Sequence, residues 1–338
     1  MSLRVTAILA SVSGLALCTG AALAQEVNVY SHRQPELVQP LFDAFTAQTG
    51  IAVNVAFVNK GMAERLKAEG ARSPADLVMT VDIARLAQVV AAGVTQPVIS
   101  ETLNTNIPAA FRDADNQWFG LTSRARVVFA SKDRVADGAI STYEDLADPK
   151  WQGRICSRAG THDYNLALLA AVIDHHGAQA ARAWATGLHD NLAKRPEGGD
   201  RDQVKSIWAG ECDISLGNTY YMGEMMADPD QRKWADSVRI IFPTFAEGGT
   251  HVNISGMAMT KSAPHREDAL KLMEFLTSEP AQKIYAEINH EFPLRTGVAR
   301  SELVESWGSF TPDTANLAAL AAHRPQALKL MEEINFDG

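Results

Sequence analysis

Between residues 26 and 93 the sequence switches repeatedly between two hydrophobic periods, and that switching restricts the chain to a layered α/β fold. "EVNVYS" (26–31) reads as a short strand. In "ELVQPLFDAFTAQTG" the residues Leu37, Val38, Leu41, Phe42 and Phe45 form one helical stripe, with Gly50 in the stop position. Pro40 fits that helix only if its first turn begins near Pro35 or Glu36. "IAVNVAF" (51–57) alternates at period two and reads as a strand. A helix from Met62 to Glu69, a buried strand "ADLVMTV" and a helix "IARLAQVVAAG" complete a βαβαβ unit of mainly parallel type.

"WFGLTSRARVVFASK" (118–132) is a further strand and the expected passage into a second lobe. There "GRICSR", "CDISLG" and "SVRIIFPT" read as strands; "NLALLAAVIDHHG", "ARAWATGLHDN" and "RDQVKSIWAGE" read as helices. "HVNISGMAMTK" (251–261) carries the chain back. The expected fold is therefore an α/β clamp of two lobes, each a mixed, mainly parallel sheet flanked by helices, joined by crossing hinge strands. The first lobe takes residues 25–124 and 251–305, the second 125–250 and 306–338. Ligand belongs between them, at strand carboxyl ends.

The first 24 residues set the expected compartment. One arginine, an apolar stretch from Val5 to Leu23 and a small-x-small exit at Ala22-Leu23-Ala24 form a secretory signal peptide, cleaved before Gln25. The alternative, a membrane anchor, is disfavoured by Ser11, Ser13, Gly14, Thr19 and Gly20, which dilute the run. Cys156 and Cys212 then remain in an oxidising compartment, where an even pair reads as one disulfide. With the leader removed, 30 basic residues face 40 acidic ones, a net charge of −10. That balance argues against nucleic acid and anionic membrane as partners.

The chain has six tyrosines, and two of them are adjacent in "LGNTYYMGEMM" (216–226). Neighbours on a strand point to opposite faces. In the first turn of a helix they are about 100° apart and can lean toward one point above the terminus. "ISLG" then "NT" supplies strand, turn and an Asn218 or Thr219 cap ahead of Tyr220. "ICSRAGTHDYNLALLAA" repeats that grammar, with Thr161 before Tyr164 at the opening of an apolar helix. A Cys156–Cys212 bridge would bring the two junctions together. Phenols have a free pKa near 10, so three of them ionise at neutral pH only beside a strong cation. Ferric iron suits such a hard oxygen set; calcium and magnesium draw carboxylates, and zinc draws His and Cys. An adjacent tyrosine pair is also compatible with plain packing, and composition does not decide between the two.

The segments "VNVYSHRQPELVQPLFDAFTAQTGI", "SPADLVMTVDIARL", "GLTSRARVV", "YEDLADPKWQGRICSRAG", "GECDISLGNTYYMGEM" and "GTHVNISGMAMTKSAPH" do add a criterion. Together, in order and over nearly all of residues 25–338, they resemble the periplasmic ferric-iron-binding proteins of bacterial ABC importers. The resemblance implies a two-lobe periplasmic solute-binding fold, a monomer that holds Fe(III) or a ferric chelate between its lobes, and an inner-membrane ABC permease as partner. It implies Tyr164, Tyr220 and Tyr221 as metal ligands. Some relatives place a His-Tyr pair after the "YSxR" motif; here those positions are Gln34 and Pro35. The sequence matches the "YSxRQP" subgroup, in which the first lobe contributes little direct coordination and a small synergistic anion such as carbonate assists. His32 and Glu36 are further candidates nearby, and of the two His32 is the candidate metal ligand. Arg33, Arg124 and Arg158 are candidates for anion or charge-balancing contacts. Arg126 shares a strand face with Arg124, and the sequence does not separate them.

No catalytic motif appears: the chain lacks GxSxG, HExxH, and SxxK with SDN and KTG, so it is not expected to be an enzyme. The rival is a solute-binding protein of the same fold for an oxyanion, a phosphonate or a polyamine, and the tyrosine triad argues against it. His175-His176 reads as a solvated helix end, and His251 reads equally as a strand hydrogen-bonder or a site residue. Met222, Met225 and Met226 read as packing.

Overall fold

The computed structural model describes residues 25–338; the expected leader, residues 1–24, lies outside the described residues. The first half of the chain follows the sequence pattern closely. Strand β1 (Glu26–Ser31), helix α1 (Pro35–Thr49), β2 (Ala52–Phe57), α2 (Met62–Glu69), β3 (Leu77–Thr80) and α3 (Ile83–Ala91) alternate as expected. Helix α1 starts at Pro35, and Gly50 ends it in the left-handed conformation (φ 74°) that glycine adopts without a Cβ clash. Val38, Leu41, Phe42 and Phe45 are buried on one face against β1 and β3. Phe45 packs on Phe275 with ring centroids 5.5 Å apart, and truncating it to alanine would cost about 3–5 kcal/mol. Leu37 leaves that stripe and stands half-buried at a cavity wall.

After α4 (Glu101–Asn106) comes β4 (Phe119–Ser131), whose residues are all buried. The rest are β5 (Ile155–Cys156), α5 (Asp163–Asp190), α6 (Asp200–Ala209), β6 (Ile214–Asn218), α7 (Tyr220–Ala227), α8 (Arg232–Asp236) and β7 (Val238–Ile241). They are followed by β8 (Val252–Met259), α9 (Arg266–Leu276), α10 (Glu279–Ile288), β9 (Phe292–Pro293), α11 (Glu302–Glu305) and α12 (Leu317–Glu333). Gly177, at φ 76° and ψ 165°, breaks α5 between the two helices expected there.

Strand β4 organises the molecule. Its first half pairs with β8 and β9, its second half with β6 and β7. One group of strands runs β2-β1-β3-β8-β4, the other continues β4-β6-β5, so a single strand belongs to both. Parallel pairing holds among β1, β2 and β3 and between β5 and β6, whereas β4 and β8 pair antiparallel with their neighbours. The returning passages run against the strands they join, which makes the sheet mixed. The Tyr143 hydroxyl donates to the Arg126 carbonyl (2.5 Å) and accepts from the His251 N–H (3.1 Å), tying the two crossing segments together in the interior.

His175 departs from the expected solvated helix end, whereas His176 stays exposed as expected. His175 Nε2 lies 2.9 Å from Asp313, its ring stacks on Phe245, and His176 Nε2 lies 2.6 Å from Glu144. Met222 and Met225 are buried in an apolar cluster, as expected of packing residues. Among the described residues, no helix is long and apolar enough to cross a membrane.

Candidate metal centre

Two strand-to-helix junctions build the site. Strands β5 and β6 are parallel neighbours, with Ile155 beside Ile214 and Cys156 beside Ser215, so both chains leave the sheet at the same edge. The Cys156–Cys212 disulfide, Cα–Cα 5.8 Å, joins the two segments. Helix α7 begins at Tyr220 directly beyond β6, and α5 begins at Asp163, one residue before Tyr164. The Tyr164 and Tyr220 hydroxyls consequently lie 3.1 Å apart, and the Tyr220 and Tyr221 rings have centroids 4.3 Å apart. The three rings expected to converge do so.

The caps are not those expected. Thr219 already has helical dihedrals and makes no side-chain cap; its Oγ1 accepts from the Ala125 N–H of β4 (3.4 Å). At the other junction Thr161 donates to Asp337, and His162 caps α5 by accepting the Tyr164 N–H at Nδ1 (3.2 Å). In both cases a long-range partner claims the hydroxyl that local pattern assigns to the cap.

The tyrosines line a cavity of about 310 Å³ whose opposite wall carries His32, Arg33, Leu37, Phe57 and Arg85. That space exceeds a single ion and leaves room for a small anion or chelating ligand. Burial, reinforced by the neighbouring phenols, pushes Tyr220 well above the ordinary tyrosine range; Arg124 opposes this. Burial, Tyr164 and Asp200 likewise push Tyr221 up, against Arg158. The protein thus holds these two as neutral phenols at pH 7. His32 and His162 are each pushed down to about 4, by burial and by a nearby arginine, so both are neutral imidazoles at pH 7. His32 Nδ1 is buried without a hydrogen-bond partner.

Arginines surround the Tyr164 ring: Arg158 at 5.1 Å, Arg126 at 5.7 Å and Arg124 at 5.8 Å from its centroid. Their charges are compensated unequally. Asp200, fully buried, accepts from Arg126 (2.5 Å) and Arg158 (3.1 Å). Burial alone would raise the Asp200 pKa, but the two guanidiniums and the Asn218 N–H outweigh it and hold it low. Arg33 pairs with the buried Glu291 at 2.7 Å. Arg124 donates only to the Val81 carbonyl, its Nη1 has no partner, and no carboxylate pairs with it among the described residues. That distinguishes Arg124 from Arg126, which the sequence left equivalent.

Asp200, Glu291, His162 and Glu224 are site residues the sequence reading missed. Glu224 lines the cavity beside Arg201, and burial raises its carboxyl pKa. Asp163 is another: Arg85 reaches its Oδ2 (2.8 Å) and Arg324 its Oδ1 (2.6 Å), one residue before Tyr164. Among the described residues, no group of three or more His, Cys, Asp or Glu side chains is arranged to hold a metal.

A family model for bacterial extracellular solute-binding proteins matches residues 40–312. The chain is 44% identical to iron uptake protein A1 of Synechocystis sp., over 92% of this chain and 88% of that protein. Among solved structures it is similar to the apo ferric ion-binding protein A of Pasteurella haemolytica, with 48% identity and a TM-score of 0.90 over 93% of this chain and 99% of that one. A Trichodesmium protein in complex with iron and citrate ligands has 42% identity and a TM-score of 0.87, over 92% and 99% of the two chains.

Proposed function

Because the chain belongs to the bacterial extracellular solute-binding proteins, we propose that it captures Fe(III) in the periplasm and delivers it to an inner-membrane ABC permease. The convergence of the Tyr164 and Tyr220 oxygens, 3.1 Å apart with Tyr221 alongside, carries this reading. Three phenolates cancel the charge of a ferric ion and supply the hard oxygen donors it prefers. Each phenol that coordinates the cation gives its proton up to solvent as the metal–oxygen bond forms, so binding is coupled to proton release.

The remaining coordination positions fall to His32 or to a synergistic anion such as carbonate. Arg124, buried and in no carboxylate ion pair among the described residues, is the residue best suited to steady that anion; Arg33 and Arg158 offset phenolate charge from beyond Glu291 and Asp200. The lobes, residues 25–124 with 251–305 and 125–250 with 306–338, close about β4 and β8. Closure excludes water and aligns the tyrosines; opening, reduction or phenol protonation releases the metal. The protein works as a monomer, exported by a signal peptide cleaved before Gln25.

Titration with ferric ion, followed by visible absorbance and calorimetry alongside ferrous ion, zinc and small oxyanions, tests the reading. A phenolate-to-iron charge-transfer band that saturates at one ferric ion per chain is expected. Tight binding of an oxyanion or a polyamine, with no such band, would overturn it.

A further inference from the structure

Helix α7 carries two of the three tyrosines, and one of its residues has no side chain for a specific reason. A methyl group built on Gly223 would overlap the imidazole carbons of His290 and stand 2.8 Å from its Cβ. The His290 ring therefore packs against α7 at a point that only glycine leaves open. His290 itself sits at φ 54°, in the left-handed region that residues with a Cβ rarely adopt.

The residues after His290 explain what holds it there. Glu291, fully buried, accepts from Arg33 (2.7 Å) and from Thr122 Oγ1 (2.8 Å). Phe292 pairs with Ser123 of β4 and packs in the same apolar cluster as Met222 and Met225 of α7. One tripeptide thus touches the tyrosine helix with its first residue, holds the cavity arginine with its second, and with its third joins the apolar cluster to which that helix contributes Met222 and Met225. We propose that the His290–Gly223 contact is a positioning contact, which sets α7, and so the Tyr220 and Tyr221 oxygens, relative to the cavity wall that carries Arg33.

This inference rests on the ferric reading of the site, and its test separates the two. Alanine is the better helix former, so Gly223→Ala should leave the melting temperature unchanged or higher if the position were merely helical. Displacing α7 should instead shift the charge-transfer band and speed ferric release to a competing chelator by on the order of 10–100-fold, as sub-ångström to ångström misplacements of a reactive constellation do. Adding His290→Gly, which removes the ring and suits the left-handed backbone, should restore band and rate in the Gly223→Ala background. A Gly223→Ala protein with the parent's band and release rate overturns the inference, as does an impaired one that His290→Gly fails to rescue. Should Gly223→Ala not fold, His290→Gly alone decides: faster release supports the contact, and an unchanged rate overturns it. If the parent itself shows no charge-transfer band, the ferric reading fails instead.

Discussion

The hydroxyl of Tyr164 lies 3.1 Å from that of Tyr220, although 56 residues separate them. Two parallel strands leave the sheet at one edge, a disulfide links the end of β5 to the segment entering β6, and each following helix carries its tyrosine in the first turn. Two polar oxygens held together in a cleft at the cost of desolvation are what a shared ligand requires.

Tyr220→Phe and Tyr221→Phe should each remove most of the charge-transfer colour. The accompanying loss of ferric affinity should exceed the roughly 10–100-fold typical of losing a supporting group around a metal. Tyr164→Phe should behave alike, since its oxygen shares the focus. Competitive titration against a calibrated chelator measures all three.

Ferric binding should release at least two protons, from the raised phenols of Tyr220 and Tyr221. Apparent affinity should then fall by roughly tenfold per pH unit for each proton released as the solution is acidified. Indicator-dye uptake in weak buffer counts the protons. A pH-independent affinity would contradict the phenolate account.

The strand–helix order and the Tyr220–Tyr221 helix opening were legible because each is written locally, and the disulfide because only Cys156 and Cys212 remain beyond residue 24. A doubled tyrosine after a strand can converge only at a helix opening, and α7 begins there. The caps were misread because Thr219 and Thr161 found partners on β4 and at Asp337. Asp200 and Glu291 were illegible for a related reason. Asp200 looks like an ordinary acidic helix start, and only the tertiary approach of Arg126 and Arg158 makes it a buried counter-charge. His175 likewise has no local sign that Asp313 will reach it.

Asp163→Asn should weaken ferric binding without removing a ligand. It cancels the carboxylate that Arg85 and Arg324 share, and Tyr164 is the next residue. The pairs are mostly buried, so a loss of about 1–3 kcal/mol in stability is expected from urea denaturation. Arg85→Ala combined with Asp163→Asn should be less than additive.

The metal-free protein should lose stability on acidification through His251. Burial pushes this histidine down to about 3; Arg126, Arg124 and His175 add to the effect, and Asp313 opposes it. The unfolded chain therefore binds the proton first, and the contribution is complete above about 6.5, declining toward about 3. The slope should reach roughly 1.4 kcal/mol per pH unit within that window. His251→Gln should flatten the difference in thermal melts between pH 7 and pH 5.

Removing the disulfide with Cys156→Ser and Cys212→Ser should cost up to about 4 kcal/mol in chemical denaturation. Ferric affinity should fall as well, because the bridge ties the two junctions that carry Tyr164 and Tyr220.

The most direct measurement is a crystal structure of the ferric-loaded protein with anomalous data at the iron edge. The account predicts a single peak in the cleft, within bonding distance of the Tyr164, Tyr220 and Tyr221 oxygens together. A peak elsewhere, or one bonded to none of these phenols while they keep their mutual contacts, would contradict it.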